Sequence, residues 1–269
     1  MLTRELRVVL WSFAALAAIA GVLLFPLAAH TETSFAWTIE PPLTAAFLGA
    51  SYWAALVLIG WSAAQDRWAR ARATVPPVFV IAVLLLAATL IHLDRFHLSS
   101  LPGIFWLVTY GIVPLTLAIL VGRQLRAASA AGPSGQSLPA GLRAALTVQA
   151  VVMLGVGLAL FVAPSDAKDL WAWMLTPLTG RAVGAFITGF GVAALLAAIE
   201  SDRERYRGAA LAYLALGLLQ LLAIAVFGDD LRSSDVRTAL YSAFLLTVVL
   251  AGAWGVSATS ASRASAGSS

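Results

Sequence analysis

The residues best suited to chemistry lie in the run His92-Leu93-Asp94-Arg95-Phe96-His97, which sets two imidazoles and a carboxylate close together. His30, with Glu32 and Glu40, offers further nitrogen and oxygen donors from another segment. Such donors suit a divalent metal or a haem iron. His92 and His97 are five residues apart, so on one continuous helix they point in different directions. A centre built from His30, His92, Asp94 and His97 therefore requires the helix to end near Asp94 and His97 to fold back. Histidines at a membrane interface more commonly serve hydrogen bonds or ion pairs. Asp94 and Arg95 are expected to form a solvated couple.

Other polar side chains fall inside apolar stretches. Tyr52, Thr188, Gln149 and Gln220 are candidates to line a cavity, because polar groups within a bilayer tend to face other helices. Ser51, Thr89, Tyr213 and Tyr241 belong to the same set. Pro114, in mid-stretch beside Gly111, frees a carbonyl and bends its helix, which makes it a candidate gate. Asp229, Asp230 and Asp235 form an acidic loop with Arg232 and Arg237, but their spacing matches no calcium loop. Cysteine is absent, which excludes thiolate metal sites and Cys nucleophiles. A phosphate-binding loop, a Ser/His/Asp grouping and a HExxH run are also absent, so no catalytic residue is assigned.

The elements that must position these groups follow from composition. Of 269 residues, 61% are hydrophobic and 11% charged, where a soluble domain carries roughly 25% charged residues. Eight stretches reach the roughly 20 apolar residues that cross a bilayer: Val8 to Ala29, Leu43 to Ala64, Val75 to Leu93, Leu101 to Gly122, Ala144 to Ala163, Ala182 to Ile199, Gly208 to Phe227 and Thr238 to Ser257. None contains Asp, Glu, Lys or Arg. Barrel strands alternate apolar and polar residues, and these runs do not. The first run, at 22 residues, exceeds the hydrophobic region of a signal peptide, so it reads as a retained helix.

Arginine placement predicts orientation. Twelve arginines fall in the two tails and in every second loop, whereas the opposite side holds Arg95, Lys168, Arg181, Arg232 and Arg237 with eight of the thirteen acids. Cytoplasmic loops retain excess Lys and Arg, so both termini are expected in the cytoplasm. The net charge of +4 is then a topology signal and not a nucleic-acid footprint. Trp37, Trp171 and Trp173 in the outer loops, and Trp11, Trp61, Trp68 and Trp254 at the inner ends, read as two interfacial belts.

An offset of 135 residues aligns Pro42-Leu43-Thr44 with Pro177-Leu178-Thr179, Gly49-Ala50 with Gly184-Ala185, Asp94 with Asp229 and Ser99 with Ser234. An offset of 136 aligns Gly21, Leu24 and Phe25 with Gly157, Leu160 and Phe161. The expected fold is therefore an all-α membrane bundle, two four-helix units in parallel tandem. Residues 1–126 form the first unit, 127–141 a cytoplasmic linker, 142–258 the second unit and 259–269 a disordered tail. Pro-Leu-Thr begins a helix in each unit. Small residues along the second and sixth helices predict that these two pack together at the centre.

The chain resembles uncharacterised bacterial multi-pass membrane proteins in which a tryptophan-rich outer segment precedes a Pro-Leu-Thr turn and a histidine/aspartate run ends a later helix. The resemblance implies a bacterial inner membrane, with the lipid bilayer as partner, and no activity. Three functions are expected. One is a permease-like bundle moving a neutral or amphipathic small molecule. The second is a scaffold that binds partner subunits or a second copy, and the third a metal or haem protein using the outer histidines.

Overall fold

The computed structural model describes residues 1–127, 136–231 and 236–266. Eight principal helices follow in order: α1 (Arg4–Leu24), α2 (Pro42–Ala63), α3 (Val75–Ile91), α4 (Leu101–Ala127), α5 (Ala140–Val162), α6 (Pro177–Glu200), α7 (Arg203–Phe227) and α8 (Val236–Ala266). Seven are long and apolar enough to cross a membrane, and α3 is a shorter apolar helix of 17 residues. The chain is thus a multi-pass membrane protein by the length and composition of its helices. One end of the bundle carries His30, His92 and His97, the other most of the arginines, and they are called here the histidine end and the arginine end.

Helix ends depart from the apolar runs for local reasons. Helix α1 stops at Leu24, before Ala29, because Pro26 has no N–H to continue the ladder. Helix α7 starts at Arg203, ahead of its apolar run, because the Asp202 side chain accepts from the Arg205 N–H and caps it. Helix α8 runs to Ala266, into the segment read as tail, of which residues 267–269 lie outside the described residues. So does 128–135 of the expected linker, while Leu138 N–H reaches the Ser201 carbonyl at 3.2 Å. Asp235 and Arg232 of the acidic loop likewise lie outside the described residues.

Burial separates two kinds of helix. Helices α2 and α6 are 78% buried and occupy the centre, whereas α1, α4 and α8 are 28% buried and turn most of their surface outward. Outward residues such as Val8, Ile19, Leu115, Val151 and Leu250 are apolar, as they must be where lipid is the solvent. Helix α1 packs on α2 and α5 on α6, while α7 lies along α2 and α3 along α6. Helices α2 and α6 touch each other, but these four partners supply most of their cover, a correction to the expectation that the central pair packs chiefly on itself.

Close approach of backbones requires glycine at equivalent crossings. A Cβ on Gly49 would lie 2.6 Å from the Phe25 nitrogen, and one on Gly184 would lie 2.6 Å from the Gly157 carbonyl oxygen and 3.0 Å from the Phe161 nitrogen. Phe25 and Phe161 are 136 apart, Gly49 and Gly184 135. The buried stripe of α1 (Leu6, Leu10, Ala14, Ala17, Gly21, Leu24) recurs 136 residues on as Leu142, Leu146, Ala150, Met153, Gly157 and Leu160. Leu2 N–H reaches the Asp66 carbonyl at 2.8 Å, matching Leu138 and Ser201.

Ion pairs gather at the arginine end. Arg70 reaches Glu204 at 3.0 Å and Arg72 reaches Glu200 at 3.3 Å, both linking the α2–α3 connection to the second half. Arg205 is buried, with Glu200 at 3.1 Å and Asp202 at 3.5 Å.

Candidate functional site

Two aromatic-walled cavities could each hold a small molecule. The first, about 120 Å³, lies among α1, α2, α3 and α4, with Phe186 of α6 in its wall. The second, about 370 Å³, lies among α5, α6, α7 and α8, with Phe47 and Ser51 of α2 in its wall. Most lining residues correspond at the offsets 135 and 136: Ile81 with Leu216, Phe105 with Leu240, Trp106 with Tyr241, Val113 with Val248, and Ser51 with Phe186.

A trio of rings stands at the histidine end of each half, and two of each trio, Phe35 with Trp106 and Trp171 with Tyr241, line the cavities. Phe35 and Trp37 lie 4.9 Å apart, and Trp106 lies 5.4 Å from Phe35 and 4.9 Å from Trp37. Trp171 and Trp173 lie 5.0 Å apart, and Tyr241 lies 5.4 Å and 5.3 Å from them. These edge-to-face and tilted geometries bury the loop tryptophans inside the bundle. Trp37, Trp171 and Trp173 are at most 6% exposed, which corrects their reading as an interfacial belt. Trp11 and Trp254 are 51% and 46% exposed.

The cavities differ in polar chemistry. In the first, the Tyr52 and Tyr110 hydroxyls hydrogen-bond across from α2 to α4. Their counterparts in the second are Ile187 and Leu245, which cannot bond. There, Gln220 Nε2 donates to the Phe47 carbonyl at 3.0 Å and to Ser51 Oγ at 3.2 Å, and the Tyr241 hydroxyl donates to Gln220 Oε1 at 3.4 Å. The Gln220 position is Leu85 in the first half. Trp171, buried in the second cavity's wall, holds an indole N–H with no partner among the described residues.

Each cavity has a lateral gap. Helices α1 and α4 touch sparsely, as do α5 and α8. Ile19 and Phe105 line the first cavity and are about half exposed, and Val152 and Leu240 line the second at 42% and 64% exposure. The second gap is bridged by Gln149 Nε2, which donates to Thr247 Oγ1 at 3.2 Å.

The structure thus places Tyr52 and Gln220 in cavity walls, in different halves. Thr188 packs on Gly157, where its hydroxyl is buried with no partner among the described residues, and lies in the wall of neither cavity. Gln149 bridges the gap and lines neither cavity. Pro114 is buried inside a continuous α4, away from both walls, so it does not break that helix.

The histidine run folds partly as expected. Helix α3 ends at Ile91, and the His97 N–H reaches back to the Ala36 carbonyl at 2.9 Å. The imidazoles then take separate partners: His97 Nε2 lies 3.4 Å from Thr38 Oγ1, and His92 Nε2 lies 2.7 Å from Arg181 Nη1 in the first turns of α6. Asp94 pairs with Arg95 at 3.2 Å in the open, and His30 is exposed. Among the described residues no three His, Asp or Glu side chains gather as metal ligands.

The guanidinium must donate to His92, so the imidazole is neutral. Partial burial and the Arg181 charge hold the His92 imidazolium below the ordinary histidine range. A depressed folded-state value adds stability above the unfolded pKa and loses it as pH falls through the folded one. Thermal stability in detergent is expected to fall more steeply below about pH 6.5, the ordinary histidine value, for the native chain than for His92→Gln. Parallel pH curves for the two would contradict this.

No family model, curated protein or solved structure matches this chain.

Proposed function

We propose that this chain is a permease-like protein of the bacterial inner membrane, built as two parallel four-helix units with both termini in the cytoplasm. It admits a neutral or amphipathic small molecule from the bilayer into a cavity between its helices. The paired cavities carry this reading: each is apolar, walled in part by two rings of an aromatic trio and open sideways between its first and fourth helices. Matching contacts at offsets of 135 and 136 support the tandem arrangement. The excess of arginine at one end supports the orientation. Spans without charge favour an uncharged cargo, because a charge in the bilayer is costly unless paired.

The natural lack of cysteine makes single-cysteine labelling a clean test. Cysteine at Ser51 or Gln220 is expected to react with a small membrane-permeant maleimide, whereas cysteine at Thr188, packed on Gly157, stays unreactive. Reaction at Gln220 with a charged reagent from both membrane faces would establish a passage. Protection at Ser51 and Gln220 alike would overturn the reading in favour of a scaffold. Cysteine at exposed Ser137 is expected to react only from the cytoplasmic face.

A further inference from the structure

We infer that the second cavity binds a single-chain amphiphile whose uncharged head presents an acceptor oxygen, a hydroxyl or an ester or ketone carbonyl, to the indole N–H of Trp171. The inference rests on reading that cavity as a ligand site. A buried donor without an acceptor costs free energy, and Trp171, 6% exposed, carries such a donor in the wall. The neighbouring polar groups are committed elsewhere: Gln220 to Phe47 and Ser51, the Tyr241 hydroxyl to Gln220. Among the lining residues, Trp171 carries the buried donor that no described residue satisfies, and an incoming acceptor oxygen can meet it.

The shape of the cavity supplies the rest. Its α8 wall runs from Arg237 to Val248, a rise of about 16 Å at 1.5 Å per residue. Beyond the polar bonds the wall is Met153, Val156, Phe190, Leu216 and Val248, which offers a chain apolar contact and no hydrogen bond. The gap between α5 and α8 lets that chain enter from lipid without crossing water.

Charge selects a neutral head. Arg237, at the rim, donates to the Asp169 carbonyl at 2.9 Å and lies 3.5 Å from its carboxylate, which offsets its charge. Among the described residues at this end of the bundle acids outnumber bases seven to four, so an anionic head meets repulsion. The first cavity lacks the device, because Trp37, whose indole N–H also has no partner among the described residues, is not one of its lining residues. Tyr52 and Tyr110 close on each other there, and Trp106 Nε1 donates to Thr89 Oγ1 at 2.9 Å.

The test is photolabelling of the full-length protein in nanodiscs with a monoacylglycerol carrying a diazirine in its chain, and with the matching diazirine fatty acid. The monoacylglycerol is expected to label peptides of α5 and α8. Trp171→Phe, which keeps the ring and loses the N–H, should weaken labelling about fivefold, the scale of one neutral hydrogen bond. Val156→Phe should abolish it by filling the cavity, and Thr109→Phe, in the first cavity, should leave it unchanged. Equal or stronger labelling by the fatty acid, or an unaffected Trp171→Phe, overturns the inference while the cavity remains a ligand site. If neither probe labels α5 or α8, the ligand-site reading falls as well.

Discussion

Gly184→Leu is expected to destabilise the protein by about 3 kcal/mol or more, the upper range for overpacking a tight contact. The added atoms meet backbone, the Gly157 carbonyl and the Phe161 nitrogen, and backbone cannot swing aside as a side chain can. Helices α5 and α6 must then separate along their whole crossing. Gly49→Leu should act alike, because its Cβ would meet the Phe25 nitrogen. Gly155 is the control, with nothing within 4 Å of a Cβ, so Gly155→Ala should be neutral or stabilising by up to about 1 kcal/mol. Thermal unfolding in detergent, with monodispersity on gel filtration, checks all three. Equal melting of Gly184→Leu and the native protein would contradict the crossing.

Asp202→Ala is expected to cost about 3 kcal/mol, since removing one member of a buried pair strands the other. Asp202 is 3% exposed and Arg205 is 7% exposed. The substitution also removes the α7 cap, worth about 1 kcal/mol. Arg205 keeps Glu200, which holds the loss below the top of the range. Asp66→Ala breaks the exposed pair with Arg7 and should change stability by less than about 1 kcal/mol. Indistinguishable melting of the two variants would refute the contrast drawn between them.

Much of the architecture is written locally. An apolar run of sufficient length has few alternatives to a helix, and the Pro-Leu-Thr starts and the glycine positions mark where helices begin and cross. The 136-residue recurrence of Leu6, Leu10 and Ala14 as Leu142, Leu146 and Ala150 was equally readable, and it identifies the buried face of two helices. So was Phe35-Ala36-Trp37 against Trp171-Ala172-Trp173, the pattern that would have pointed to the aromatic trios.

The cavities were not legible, for a physical reason. Their walls join residues far apart in the chain, such as Gln220 with Phe47, and each polar side chain chooses among partners that local pattern does not reveal. His92 illustrates this: its metal-like neighbours in sequence give way to Arg181, 89 residues on. A tryptophan in a short loop looks the same whether it lies flat at the headgroups or turns inward. Packing decides, and it turned Trp37, Trp171 and Trp173 inward.

The bonds that complete α2 come from the other half of the chain. Asp230 accepts from the Leu43 N–H at 3.1 Å, Trp173 donates to Thr44 at 2.8 Å and Gln220 donates to the Phe47 carbonyl at 3.0 Å. Helix α6, by contrast, carries its own cap in Thr176 and Thr179. Synthesis proceeds from the N-terminus, so the first four helices enter the membrane before any of these donors and acceptors exist. The early half must wait, its second helix partly unsatisfied, and the late half arrives with its own helix start complete and brings the missing partners with it.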